Sequence, residues 1–190
     1  VYSFVLSVIK TANRGKEHYR RNDMGEGGAA DILKQAILLE RRGRAFYQKV
    51  ADDTRSDAAR SFFGRMAEEE KRHIQILTEQ FQSLQETGAF KNAELDDHSS
   101  ADVSPDVLTK EWKEQVAAAD FEAAAISAAM AMEKNAITLY SQRAQAAVDS
   151  EEQALYQWLA DWEKTHLDYL ARIDRELTEE IWFDNQFWRF

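Results

Sequence analysis

From Asp31 the apolar and small residues Leu33, Ala36, Ile37, Gly43, Tyr47 and Val50 return at spacings of three and four, the period of a helix buried along one side. Asp52-Asp53-Thr54 interrupts that pattern, and Ser56 is placed to cap a second helix. There Phe63, Met66, Ile74, Leu77, Phe81 and Leu84 form a narrow seam close to a heptad repeat. Gly88 closes the helix and opens a polar linker to Ser104, centred on Asp96-Asp97-His98-Ser99-Ser100. Pro105, behind Ser104 as cap, starts a short lead-in helix. Asp120 begins an alanine-rich third long helix to about residue 148, and Ser150-Glu151-Glu152-Gln153 reads as the capping box of a fourth, to about residue 179. Two short-loop hairpins joined by one longer crossover predict an all-α four-helix bundle over 29–178. An N-terminal extension, 1–28, ends in Gly25-Glu26-Gly27-Gly28, and an aromatic tail covers 179–190.

The apolar seams are broken at particular places. In the second helix the line would continue through positions 70 and 73, which are Glu70 and His73. In the fourth, Leu159, Leu167 and Leu170 flank Glu163 and His166. Both pairs read Glu-x-x-His, and residues three apart share a helix face, so carboxylate and imidazole point together into the bundle. Glu40 lies on the inward stripe of the first helix between Ala36 and Tyr47, as Glu133 does on the third between Ala129 and Tyr140.

Glu40 precedes Glu70 by 30 residues, and Glu133 precedes Glu163 by 30. A shift of 93 residues superposes Glu40 on Glu133, Tyr47 on Tyr140, Glu70 on Glu163 and His73 on His166. Ala36, Lys71 and Leu77 fall on Ala129, Lys164 and Leu170 under the same shift, which marks an internal repeat. Each hairpin thus supplies two carboxylates and one imidazole to a symmetric six-residue site. Four carboxylates in a core would each cost several kcal/mol if left ionised and unpaired. Two divalent cations balance them, with neutral histidines filling coordination positions, and an oxygen-rich set with one imidazole per metal suits iron or manganese. Zinc or another substitute could occupy the same ligands. One Glu from each of two helices plus Glu-x-x-His from each of the other two is the di-iron or di-manganese bundle pattern.

A lone Glu-x-x-His usually marks a solvated helix face; the paired spacing is what favours metal. Glu68 and Glu69, beside Glu70, read as surface residues, as do His18 and His98. Tyr47 and Tyr140, two turns beyond the lone carboxylates, are either core packing or hydrogen-bond partners of the ligands.

Composition narrows the chemistry. The chain has 190 residues, one proline, seven glycines and no cysteine, which suits a helical protein and excludes a disulfide framework, a thiolate metal site and a cysteine nucleophile. With 34 Asp and Glu against 24 Lys and Arg, the net charge of −10 argues against a nucleic-acid partner. Two divalent ions on the four carboxylates would bring it to about −6. No apolar run approaches the roughly 20 residues of a transmembrane span, so a cytoplasmic location is the default expectation. Val1 to Ile9 reads as a docking helix rather than a secretion signal. Ile181, Trp182, Phe183, Phe187, Trp188 and Phe190 would dock on the bundle or on a second subunit, as the interface of a homodimer, with membrane-surface contact or capture by a partner as the alternatives.

At these residues the sequence resembles the ferritin-like superfamily and, within it, the rubrerythrin family. Ala36-Ile37-Leu38-Leu39-Glu40 through Phe46-Tyr47, and Ala131-Met132-Glu133 through Leu139-Tyr140, are similar to its Glu-plus-Tyr helices, and the resemblance covers about 30–178. It implies that Glu70 and Glu163 bridge two irons, with Glu40, His73, Glu133 and His166 as terminal ligands. Two features depart from it. Without cysteine there is no rubredoxin-like iron site, so any electron donor is external. The additional ligand Glu of peroxidase-active rubrerythrins is matched here by Ala136.

The first functional reading is therefore an iron-dependent oxidoreductase that oxidises ferrous iron with dioxygen or reduces hydrogen peroxide, in iron homeostasis or oxidative-stress protection. The second is a non-catalytic metal-binding or iron-handling module acting through a partner. A third, weaker reading is an oxygenase-like enzyme with an organic substrate.

Overall fold

The structure, a computed structural model, describes residues 28–93, 95 and 120–184, and of residues 120 and 180–184 only the backbone. Four long helices account for almost all of it: α1 (Ala29–Asp53), α2 (Asp57–Thr87), α3 (Asp120–Ala146) and α4 (Ser150–Asp184). α1 packs along α2 and α3 along α4, and the two hairpins face each other as the halves of an all-α bundle. The expected extension 1–28 (save Gly28), the linker centre 96–104, Pro105 and residues 185–190 lie outside the described residues.

The helix boundaries follow local chemistry. Thr54 leaves the helical conformation, and the Ser56 hydroxyl accepts a hydrogen bond from the Ala59 amide at 3.2 Å, satisfying one of the free N–H groups that open α2. At the other end Gly88 sits in the left-handed region at φ 78°, where a side chain would be strained, and its amide donates to Leu84 O. The chain then folds back so that Gln80 and the Lys91 backbone exchange two hydrogen bonds, at 2.9 and 3.0 Å.

The start of α4 differs from the sequence expectation. Its cap is Asp149, whose Oδ1 accepts from the amides of Glu151 and Glu152 at 2.8 and 3.0 Å, and Ser150 is already the first helical residue. Asp caps as well as Ser does, and Glu152 in this first turn pairs with Arg143 at 2.6 Å. α4 also continues to Asp184, past residue 179, because no Gly or Pro interrupts Glu176 to Trp182.

Packing divides the core into two apolar blocks with a polar layer between them. On one side Tyr47, Phe62, Phe63, Met66, Ile126, Ala129, Leu170 and Ile173 come together, and on the other Leu33, Ala36, Leu77, Tyr140, Leu155, Tyr156, Leu159 and Trp162. Every helix contributes to both blocks and crosses the same layer on the way. α1 passes from Ala36 through Glu40 to Tyr47, and α4 from Leu159 through Glu163 and His166 to Leu170. The repeat extends to the aromatics: Tyr47 stacks on Phe63 at 6.1 Å, and Tyr140 stacks on Tyr156, the equivalent residue, at 5.9 Å. A buried hydrogen bond of 2.5 Å from Thr54 Oγ1 to Glu122 ties the α1–α2 turn to the first turn of α3.

Candidate metal centre

The polar layer is made of the six residues that break the seams. α1 delivers Glu40, α2 Glu70 and His73, α3 Glu133, and α4 Glu163 and His166; all are buried, and both imidazoles are wholly so. Ligand-type atoms from Glu40, Glu70, His73 and Glu163 lie within 4.8 Å of one another, and so do those from Glu70, Glu133, Glu163 and His166. Glu70 and Glu163 belong to both groups. Glu40 accompanies His73, and Glu133 accompanies His166. His73 Nδ1 lies 3.1 Å from Glu163, 3.4 Å from Glu40 and 3.5 Å from Glu70. His166 Nδ1 lies 3.1 Å from Glu163 and 3.8 Å from both Glu70 and Glu133.

Burial and mutual repulsion set the charge of this cluster. Burial, then Glu40 and Glu163, pushes the Glu70 carboxyl well up, and burial with Glu163 does the same to Glu133. Burial opposes ionisation of Glu163 too, but His73 and His166 on either side hold its carboxyl below the usual range. Burial likewise opposes charge on the histidines. Glu163 and Glu40 nevertheless raise His73 to about 10, and Glu163 and Glu69 raise His166. These shifts favour protons on Glu70, Glu133, His73 and His166, and a metal ion would compete with them.

The two tyrosines cross between halves. Tyr47 on α1 donates its hydroxyl to Glu133 on α3, and Tyr140 on α3 donates to Glu40 on α1. Burial and the nearby carboxylates push both phenols well up, so each stays protonated and remains a donor. They therefore hold the carboxylates of the opposite hairpin as well as filling core volume.

One neighbour differs from the sequence expectation. Glu68 is exposed and pairs with Lys71 at 2.8 Å, as a surface residue does. Glu69 is instead mostly buried, with Oε2 2.5 Å from His166 Nε2 and 3.4 Å from the indole nitrogen of Trp162. Burial opposes its charge, but His166 and Trp162 hold the carboxyl below the usual range. It escaped notice because Glu68-Glu69-Glu70 looks uniformly acidic; the signal that could have found it is that position 69 falls on Trp162 in the repeat. Glu122, buried against Thr54, was also missed.

α1 passes one shared carboxylate at a glycine. A Cβ on Gly43 would lie 3.5 Å from Cδ of Glu70, so α1 passes close over that side chain. Its repeat equivalent, Ala136, is buried in the apolar block one turn beyond Glu133 and offers no ligand.

The residues fit a pair of divalent ions. Glu70 Oε2 is buried with no hydrogen-bond partner among the described residues, and four carboxylates with two inward-facing Nδ1 atoms match the donor preference of iron and manganese. The rubrerythrin family model matches residues 31–174, three quarters of the chain and all the helices that build this layer. The chain belongs to the rubrerythrin family. Comparison with curated proteins and with solved structures gives no match. In this rubrerythrin-family chain the two residue groups, sharing Glu70 and Glu163, form one buried carboxylate–histidine cluster, a candidate metal site. No helix among the described residues is long and apolar enough to cross a membrane.

Proposed function

We propose that the centre holds two iron ions and that the protein oxidises ferrous iron with dioxygen or reduces hydrogen peroxide. The observation that carries this reading is the pair of four-residue groups with two carboxylates in common. Glu70 and Glu163 would be held by both ions, Glu40 and His73 by one, and Glu133 and His166 by the other. When bound, the two irons supply the electrons that reduce the oxidant.

The protein's own part follows from its geometry. Carboxylates can move between one- and two-oxygen coordination, so the four glutamates can follow a change of charge without moving their helices. The Tyr47 and Tyr140 hydroxyls donate to Glu133 and Glu40 and would orient them towards the metals. The two apolar blocks exclude bulk water from both ends of the layer. Because Ala136 supplies no seventh ligand, a cycle in which a ligand exchanges at that position is disfavoured, and oxidation of ferrous iron by dioxygen is the better fit. These 190 residues contain no cysteine, so they supply no second iron site with thiolate ligands to feed electrons to the centre.

Stopped-flow mixing of the anaerobically iron-loaded chain with dioxygen or peroxide tests this. The expected result is two irons per chain, oxidised well ahead of a protein-free blank. Oxidation no faster than the blank would leave a metal-binding module that acts through a partner.

A further inference from the structure

The two halves of the centre obey the repeat closely, and they part at one pair of positions. Glu69 and Trp162 are equivalent residues, 93 apart, and each lies against the histidine of the other hairpin. On one side Glu69 Oε2 is 2.5 Å from His166 Nε2. On the other, Trp162 meets His73 edge-on, with ring centres 5.5 Å apart, and Trp158 does the same at 5.6 Å. His73 Nε2 is buried with no hydrogen-bond partner among the described residues.

This difference decides where the protons sit. His166 turns Nδ1 towards Glu163, Glu70 and Glu133, where it would ligate, so the imidazole's one proton is left to Nε2, which donates to Glu69 Oε2. The indole N–H of Trp162, 3.0 Å from that nitrogen and 3.4 Å from Glu69 Oε2, then shares the same acceptor. A carboxylate behind a ligating imidazole also makes it a stronger donor to the metal. Among the described residues no acceptor does this for His73, whose ring lies against the indoles of Trp158 and Trp162.

We propose that Glu69 is a positioning residue that makes the two metal positions unequal: the Glu133–His166 end binds first and more tightly, and the Glu40–His73 end fills second. This rests on the di-metal reading above. Outer carboxylates of this kind are worth about 10–100-fold in metal affinity, which sets the expected gap between the two steps.

The test is titration of the metal-free 190-residue chain with cobalt(II), followed by calorimetry and visible absorption. Wild type should bind in two resolved steps. Glu69→Gln should weaken the first by about 10–100-fold, leave the second nearly unchanged and shift the visible bands of the first cobalt. Glu69→Asp should recover part of the loss. At one equivalent, NMR should show a slowly exchanging, hyperfine-shifted imidazole N–H in wild type that exchanges away in Glu69→Gln. Two equal steps in wild type, or a Glu69→Gln chain whose constants are unchanged or fall together, would overturn the proposal while leaving a di-metal centre in place. Failure of wild type to take up two cobalt ions per chain would instead sink the di-metal reading and this proposal with it.

Discussion

Replacing Tyr47 by Phe removes one oxygen from a side chain with no exposed surface, and with it the hydroxyl that donates to Glu133 across the bundle. The ring still stacks on Phe63 and the apolar block is undisturbed, so the change isolates the hydrogen bond. Leaving a buried acceptor without its donor costs about 1–3 kcal/mol. For a chain of this size each kcal/mol moves Tm by about 2–4 °C, so metal-free Tyr47→Phe should melt roughly 2–12 °C below wild type. Tyr140→Phe should lose a similar amount, because its hydroxyl donates to Glu40 in the equivalent way. Metal binding separates the two variants. Tyr47 holds a carboxylate of the His166 end, so Tyr47→Phe should weaken that position by about 10–100-fold, and Tyr140→Phe should weaken the His73 end instead. Calorimetric titration with cobalt(II) or manganese(II), beside thermal melts, measures both effects. If Tyr47→Phe weakened the His73 end, or changed neither Tm nor affinity, the crossed hydrogen bonds would not be what holds these carboxylates.

Other outcomes follow from the same geometry. In the metal-free chain His73 is raised to about 10 against an ordinary value near 6.5, so its contribution to stability is complete below about pH 6.5 and is lost as pH rises towards 10. Melting temperatures of metal-free protein should fall over that window, the raised Glu70 and Glu133 carboxyls adding loss in the same direction, while the metal-loaded protein should not follow the trend. A flat pH profile for the metal-free chain would count against the protonated cluster. Gly43→Ala places its Cβ at an ordinary 3.5 Å contact from Glu70 and removes a mid-helix glycine, so stability should rise by about 0.5–1 kcal/mol in a urea melt with metal content unchanged. A loss of metal in that variant would show that α1 cannot come closer to Glu70. Ser56→Ala removes the cap of α2 and should cost about 0.5–2 kcal/mol, read from the same melts, with no effect on metal stoichiometry.

Much of this arrangement was legible in the residues. The seams marked the four helices because an amphipathic helix has to repeat its apolar face. The interruptions at Glu40, Glu70, His73, Glu133, Glu163 and His166 showed which positions share one layer, because the 93-residue repeat tests each half against the other. The crossing of Tyr47 to Glu133 and of Tyr140 to Glu40 was not legible. Spacing says that a tyrosine lies two turns from a glutamate on its own helix, but not that its hydroxyl reaches across to the other hairpin. Glu69 was misread for a similar reason. Its burial comes from Trp162 and His166 on α4, and no pattern along α2 records that neighbour. The α4 cap was displaced by one residue because Asp149 and Ser150 are both good caps and local preference does not choose between them.

The polar layer also determines how far along one another the hairpins can sit. Two apolar seams of Leu, Ala and Phe could slide past each other by a helical turn, about 5.4 Å, and still bury similar area. Here such a slip would carry Glu40 and Glu133 out of the layer and into the apolar blocks, and would break both tyrosine hydrogen bonds. Each carboxylate so displaced would cost several kcal/mol if it stayed ionised. The six residues that make the centre thus act as a dowel through the bundle, excluding the shifted packings that its greasy surfaces alone would permit.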